Sequence, residues 1–320
     1  MQPEDLARST QRFMKLLRPE NAGAVAQSAI TWFKPAPKLM VRGKRVARFP
    51  LRPATLGKIG SLEVRLAQKK NDVKRAQKLR YRVFYKDGTA IADAATMLAR
   101  RDKDGYDAIC DHLLVIDHAA KPSLSGKQPV VGTYRLLRQE VADNAGGFYT
   151  ENEFDISGMI SRHPELSFLE LGRSCVLPPY RNKRTVELLW HGIWTYVRQH
   201  GVDVMIGCAS FDGTDPDRLA LPLSFLHHYA SAPQEWQASA NPARRVEMNR
   251  MAKEAINPKV ALHQLPPLIK GYLRLGAFIG DGAVIDYQFG TTDVLIVMPV
   301  AAIKTRYIEH FGADATRHAA

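Results

Sequence analysis

A strand that stops at two prolines and leads into a long amphipathic helix is the feature that most constrains the fold. Residues 168–177 are rich in apolar and β-compatible side chains, and Pro178-Pro179 ends them because proline cannot donate to a central ladder. Asn182 is suited to be the N-cap of the following helix. The apolar face of this helix recurs at three- and four-residue spacing: Val186, Leu189, Trp190, Ile193 and Val197. The pattern predicts a strand, a short turn and a helix that packs one face against a sheet.

The turn carries three cations, Arg181, Lys183 and Arg184, at the start of this helix. A helix N-terminus offers unpaired backbone N–H groups and the positive end of the helix dipole, so the turn suits a phosphate or pyrophosphate. A basic, solvated helix start has the same composition. These residues alone therefore leave both interpretations open.

Size and charge limit the classes of function. The 320 residues, 45% of them hydrophobic, are enough for one large domain or two smaller ones, and no apolar run is long enough to predict a spanning helix. The first residues lack the pattern of a secretory signal, and three cysteines without CxxC spacing predict reduced thiols in a cytoplasmic protein. A net charge of +13 favours an acidic partner: nucleic acid, anionic lipid or the strongly acidic acyl carrier protein. Nucleic acid is not predicted, since its usual binding motifs are missing.

Residues 1–56 form a basic extension in which cations alternate with apolar side chains such as Trp32 and Phe33. Such a segment can lie on an anionic membrane surface, with its cations near the headgroups. A disordered, solubilising tail is the alternative. Residues 57–312 are predicted as a single domain, with an irregular insertion at about 230–263 where prolines interrupt the pattern.

The order of the remaining elements predicts an α/β fold, a mixed twisted sheet with helices on both faces. The predicted strands are 62–66, 112–116, 130–137, 168–177, 202–208, 277–286 and 292–298. The predicted helices are 72–85, 91–100, 182–198, 215–229, 267–275 and 300–311.

The strand, turn and helix resemble the acyl-donor motif of the GNAT acyltransferase superfamily, carried here by Val176, Pro178, Tyr180 and Arg181. In that superfamily two glycines in the turn let the backbone approach the pyrophosphate of coenzyme A. Larger residues fill both glycine places within 181–186. One phosphate on a carrier-bound 4′-phosphopantetheine demands a less close approach, which fits the missing glycines.

Further segments narrow the resemblance. Glu170 and Arg173 in LELGRSCV, residues 80–84 in LRYRVF and residues 104–107 in DGYD resemble motifs of acyl-homoserine-lactone synthases, which use acyl carrier protein as donor. Longer segments, such as CDHLLVID from Cys110 and FYTENEFDIS from Phe148, resemble bacterial ornithine N-acyltransferases, which make lyso-ornithine lipid. The resemblance covers residues 62–299. It implies that the central strands splay and that a pantetheine arm enters the gap.

Glu170 is the predicted general base, because a charge in an otherwise apolar strand is costly unless it is paired or functional. Arg173 is its predicted partner. Residues three apart in a strand face opposite sides, so this ion pair requires an irregularity, predicted as a bulge at Gly172. A purely structural ion pair is the alternative. Asp111 is the second catalytic candidate, predicted to bind the side-chain ammonium of the substrate.

The other candidates divide between acceptor and donor. On the acceptor side, the resemblance and the acidic loop predict substrate contacts for Arg173, Arg80, Phe84, Asp104, Asp107 and Glu153. On the donor side, a backbone N–H at Val176 or Leu177 is predicted to hold the oxyanion. Arg181, Lys183 and Arg184 are predicted to contact the phosphate and acidic residues of the carrier. No metal site is predicted, since the EF-hand-like run that begins at Asp212 has Pro216 and Leu223 at ligand positions.

The resemblance and the residues together predict a cytoplasmic, peripherally membrane-associated N-acyltransferase. It would move a 3-hydroxyacyl chain from acyl carrier protein to the α-amine of ornithine. Another acceptor amino acid, such as glycine, lysine or glutamine, and acyl-homoserine-lactone synthesis remain alternatives. A basic, non-catalytic binder of membrane or nucleic acid is the alternative from a different class.

Overall fold

The computed structural model describes residues 55–123 and 126–303. The predicted extension 1–56 lies outside them, apart from its last two residues, and so does most of the predicted helix 300–311.

Strands and helices alternate along the described residues. The strands are β1 (Thr55–Ile59), β2 (Leu62–Leu66), β3 (Asp111–Asp117), β4 (Val130–Arg138), β5 (Phe154–Asp155), β6 (Phe168–Val176), β7 (Val204–Asp212), β8 (Ser239–Ala240), β9 (Arg245–Val246), β10 (Phe278–Asp286) and β11 (Thr291–Pro299). The α-helices are α1 (Lys70–Tyr81), α2 (Ala94–Ala99), α3 (Gln139–Asp143), α4 (Ser157–Arg162), α5 (Lys183–His200), α6 (Ala220–Ala230), α7 (Pro258–Gln264) and α8 (Pro267–Leu275).

The strands form one mixed sheet in the order β1-β2-β3-β4-β6-β7-β11-β10-β8-β5, with β9 also paired to β10. At its centre, β6 and β7 run parallel and pair only from Phe168↔Val204 to Glu170↔Ile206. Beyond that point β6 stays on β4 and β7 stays on β11. The predicted splay of the central strands is therefore confirmed.

Helices cover both faces of the sheet, as predicted. On β3, Leu113 and Val115 belong to the core under α5, whereas Leu114 and Ile116 belong to the core under α1. This alternation follows from the period of two in a strand. Each fully buried leucine or valine contributes about 1.5–3 kcal/mol, so both faces stabilise the sheet.

Several predicted bounds were wrong for local reasons. The unpredicted strand β1 pairs with β2, and its residues 55–56 fall within the predicted extension. Helix α1 ends at Tyr81 and continues as a π-helical turn to Lys86. The predicted insertion at 230–263 is partly regular, since β8 and β9 both add to β10.

Candidate active site

Glu170 lies where the pairing of β6 with β7 ends, and a helical turn at Tyr149–Asn152 anchors its carboxylate. The carboxylate accepts hydrogen bonds from Tyr149 N (3.0 Å) and Thr150 N (2.7 Å), and from the Thr150 hydroxyl. Burial raises the pKa of Glu170, while these hydrogen bonds act in the opposite direction. Glu170 is thus an oriented, buried carboxylate of enhanced basicity at the point where the strands diverge.

The predicted irregularity in β6 exists, but the predicted ion pair was wrong. Between the pairs Thr133↔Cys175 and Arg135↔Gly172, two residues of β6 oppose one of β4, which is a bulge just after Gly172. The bulge gives Arg173 a positive φ of 50°. It directs the Arg173 guanidinium toward Asp102 and Asp104 in the loop before β3, whereas Glu170 binds the Tyr149–Asn152 turn.

A buried network of three arginines and three aspartates supports this bulge: Arg80, Arg135, Arg173, Asp102, Asp104 and Asp107. Arg80 Nη2 donates to Asp107 Oδ1 (2.8 Å), and its Nε donates to Asp102 Oδ2 (2.7 Å). Arg80 and Asp107 are both buried within this network, and their predicted contact with substrate stays a prediction. The Asp104 and Arg173 side chains keep 17% and 14% of their surface exposed, and direct substrate contact stays a prediction for them.

Arg135, which the sequence analysis missed, crosslinks the network. Its Nη1 lies 2.6 Å from both carboxylate oxygens of Asp104. Burial raises the pKa of Asp104, but the charges of Arg135 and Arg173 outweigh it and leave that pKa well below its usual range. Arg135 is a charge inside the apolar strand β4, so the argument applied to Glu170 also identifies it.

Aromatic rings surround the Arg173 guanidinium. Its centre lies 4.8 Å from the ring centroid of Tyr149 and 4.6 Å from that of Phe289, at cation–π distance. Phe84, predicted as a substrate contact, packs edge-on against Phe289 at 5.7 Å. Nothing in the sequence pattern indicated Phe289. It lies in the turn between β10 and β11, which is distant in sequence from Arg173 and Phe84 but packs next to them.

A second acidic group consists of Glu153, Asp286 and Asp293. One carboxylate oxygen of each residue lies within 4.8 Å of one oxygen of each of the other two. Burial, then the charges of Asp293 and Asp286, raise the pKa of Glu153 to about 8. Burial likewise raises the pKa of Asp293 to about 6. Glu153 was predicted from the sequence as a substrate contact, whereas the two aspartates were not predicted, although Asp293 also stands in an apolar strand.

Asp111 lies apart from these groups. It opens β3 opposite Leu136, a member of the core under α5, and its carboxylate accepts a hydrogen bond from the Tyr196 hydroxyl of α5 (2.7 Å). Glu170 pairs in register with Leu137 and so faces the other side of the sheet. The position of Asp111 therefore does not support a catalytic role beside Glu170.

The predicted donor turn is well formed. Asn182 caps α5, with its Oδ1 accepting from Thr185 N at 3.1 Å, and Arg181, Lys183 and Arg184 are all exposed. Arg181 Nε donates to Val176 O (3.0 Å) at the end of β6, so its guanidinium lies beside the opening between β6 and β7.

One of the two predicted oxyanion donors was wrong. Leu177 N donates to Val131 O at 2.9 Å, so this N–H is engaged with β4. Polar groups alternate in direction along an antiparallel pair, and Val176 is paired with Gly132 next to that bond. The N–H of Val176 therefore points away from β4, on the same side as its carbonyl and toward the opening.

The splayed parallel pair, the cationic helix start at its mouth and the buried carboxylate at its closed end define an acyltransferase of the GNAT type. In agreement, residues 79–191 match the acetyltransferase (GNAT) domain family. The chain is 54% identical over 262 residues to an L-ornithine N(alpha)-acyltransferase of Rhizobium meliloti (strain 1021), covering 82% of this chain and 88% of that protein. It is 55% identical over 262 residues to the enzyme of the same name from Brucella abortus (strain 2308), covering 82% and 92%.

The chain belongs to the L-ornithine N(alpha)-acyltransferase family and is an N-acyltransferase, which excludes the non-catalytic alternative. Among solved structures, FeeM, an N-acyl amino acid synthase from uncultured soil microbes, is similar with a TM-score of 0.43 and 10% identity, over 76% of this chain and 94% of that one. Within the described residues, no helix combines the length and apolarity needed to cross a bilayer.

Proposed function

We propose that this protein transfers a 3-hydroxyacyl chain from the 4′-phosphopantetheine thioester of acyl carrier protein to the α-amine of L-ornithine, giving lyso-ornithine lipid. The observation that carries the proposal is the opening between β6 and β7, with Glu170 at its closed end. The relatives are L-ornithine N(alpha)-acyltransferases, which supports L-ornithine as the acceptor.

The donor arm enters along the opening, where β6 and β7 leave each other's edges free to contact an extended pantetheine. Arg181, Lys183 and Arg184 stand exposed at the start of α5 and contact the phosphate of the arm and acidic residues of the carrier. The place where coenzyme A binders have glycines is filled by larger side chains, which supports a donor with one phosphate.

The acceptor amine attacks the thioester carbonyl carbon, so that a C–N bond forms and the C–S bond breaks. Glu170 takes the proton of the attacking amine, for which its raised pKa suits it. The N–H of Val176 stabilises the tetrahedral oxyanion. The pantetheine sulfur leaves as a thiol after it gains a proton.

The product has one acyl chain, so release onto a membrane follows from its chemistry. The cations and apolar side chains of residues 1–56 support a peripheral position on an anionic membrane surface, on the cytoplasmic side where acyl carrier protein is found.

The test is an assay of the purified protein with matched donors and acceptors. A 3-hydroxyacyl chain is presented on acyl carrier protein or on coenzyme A, with ornithine, lysine, glycine, glutamine or S-adenosylmethionine as acceptor, and products are measured by mass. We expect N-acylornithine from the carrier-bound donor, with much lower rates from the other combinations.

Two outcomes contradict the proposal. Equal or faster transfer from coenzyme A removes acyl carrier protein as the donor, and a lactone or another N-acyl amino acid as main product removes ornithine as the acceptor.

A further inference from the structure

We infer that Glu153, Asp286 and Asp293 form a subsite that binds the side-chain ammonium of the amino-acid acceptor and so selects a basic amino acid. The inference rests on the proposed acyl transfer to ornithine. It gives a binding partner to the side-chain amine of ornithine. This amine does not react, and the proposed mechanism leaves it without a partner.

Three separate elements bring these carboxylates together. Glu153 follows the turn that anchors Glu170, Asp286 ends β10, and Asp293 lies on β11. One oxygen of each carboxylate lies within 4.8 Å of one oxygen of each of the others, a separation at which buried carboxylates repel strongly unless they share protons or a cation.

Two of these carboxylates have an oxygen without a partner. Among the described residues, Glu153 Oε2 and Asp293 Oδ1 have no hydrogen-bond partner, although the two residues are only 2% and 6% exposed. A buried polar atom without a hydrogen bond is costly, so these oxygens are poised to accept from a bound donor.

The charge of the subsite is not balanced as that of the neighbouring network is. Arg244 Nη1 lies 4.0 Å from Glu153 Oε1, one guanidinium set against three carboxylates. Arg173 also acts on Asp293, but its ion pairs are with Asp102 and Asp104. One guanidinium thus faces three acidic side chains. Glu153 holds a proton near neutral pH because it is buried and no second cation among the described residues balances the cluster, so a bound cation is favoured.

An organic ammonium fits this cluster better than a metal ion does. An ammonium group has three N–H donors, one for each carboxylate, and carries a single charge. A calcium ion takes six to eight oxygen ligands, and the nearby Arg244 guanidinium repels a divalent cation. The surrounding charges thus match a monovalent ligand.

The subsite also lies close to Glu170, the proposed base. Thr150 donates its hydroxyl to Glu170, Cys208 Sγ lies 3.9 Å from that hydroxyl oxygen, and Cys208 in turn contacts the Glu153 carboxylate. Two small side chains thus separate Glu170 from the cluster. Exposed Ser210, directly opposite Asp293 in the ladder, leaves one side of the cluster near solvent.

The test uses the full-length enzyme with ornithine and with norleucine, in which a methyl group replaces the side-chain ammonium. We expect Asp293→Asn and Asp286→Asn to raise the KM for ornithine about 10- to 100-fold while the rate with norleucine stays the same or rises. Asp281→Asn is the matched control, because Asp281 is also on β10 but pairs with Arg245 at the surface.

A binding measurement separates this inference from the proposed function. Without any acyl donor, ornithine should raise the Tm of the wild type and of Asp281→Asn, and should leave that of Asp293→Asn unchanged. Unchanged ornithine KM and binding in the Asp variants overturn the subsite even if N-acylornithine is made. Loss of ornithine binding with EDTA and its return with Mg²⁺ or Ca²⁺ overturn it in favour of a metal site.

Discussion

Glu170 combines two roles that are hard to separate by inspection. Its carboxylate orders the turn at Tyr149–Asn152 through three hydrogen bonds, and the same bonds aim it at the point where the strands diverge. A base must be held in position, so the anchoring contacts are compatible with catalysis.

Replacing Glu170 by Gln tests the catalytic role. The amide keeps the shape and one acceptor oxygen but cannot take a proton, so we expect kcat to fall about 10²- to 10⁴-fold. The acidic limb of the pH–rate profile should also disappear, a change that a purely structural role does not produce. Exposed Glu165→Gln, just before β6, is the control and should keep wild-type kinetics. A Glu170→Gln enzyme with near wild-type kcat makes the base assignment wrong.

Arg135 illustrates how a buried charge depends on its partner. Arg135→Gln leaves Asp104, which is only 17% exposed, without its main counter-charge, so we expect the free energy of unfolding to drop by about 3–5 kcal/mol. Urea denaturation measures this loss. Arg138→Gln removes a half-buried arginine from the same strand that pairs with the exposed Glu140, and should cost about 1 kcal/mol or less. Equal losses in the two variants contradict the view that burial sets the cost.

At the level of elements, the opening arises because the two parallel strands have different partners. β6 stays paired with β4 to Val176, and β7 stays paired with β11 over all nine of its residues. Gly207 marks the last close contact, since a Cβ there would overlap the Leu171 carbonyl oxygen. The bulge at Arg173 follows just beyond the last β6–β7 pair, at a point where β6 keeps only β4, among the described strands, as its partner.

The start of α5 should bind the donor electrostatically. Changing Arg181, Lys183 and Arg184 together to Ala should raise the KM for the carrier-bound donor at least tenfold at low salt, and the difference should shrink as ionic strength rises. Lys69, Lys70 and Lys74 changed to Ala remove three exposed cations from the start of α1 and serve as the control. An unchanged donor KM, or an equal effect in the control, removes this turn from the donor site.

At the scale of the whole molecule, the acceptor subsite should cost stability. The pKa of Glu153 is raised from 4.5 to about 8, so the folded protein holds a proton that the unfolded chain releases. Stability from this group is complete below about pH 4.5 and is lost as pH rises toward 8.

Glu153→Gln should therefore unfold at a higher Tm than the wild type at pH 8, by about 2–4 °C for each kcal/mol relieved, with the difference vanishing near pH 4.5. The same variant should lose stabilisation by ornithine. Thermal unfolding across this pH range measures both effects, and a constant Tm difference contradicts the raised pKa. Glu151→Gln, an exposed neighbour in the same turn, is the comparison.

The sequence by itself determined the strand–turn–helix unit, its cap at Asn182 and a sheet with helices on both faces, because these depend on local spacing and backbone chemistry. It also located Glu170, since a charge in an otherwise apolar strand is costly unless it is paired or functional. The same rule applies to Arg135, which the sequence analysis did not predict. The tertiary structure alone decided which partners those charges have. It pairs Arg173 with Asp104 and not with Glu170, and it places Asp111 on the other face of the sheet. It also brings Glu153 close to Asp286 and Asp293. Side-chain direction at a bulge and contacts between distant strands depend on register and packing, and neither is encoded in the spacing of neighbouring residues.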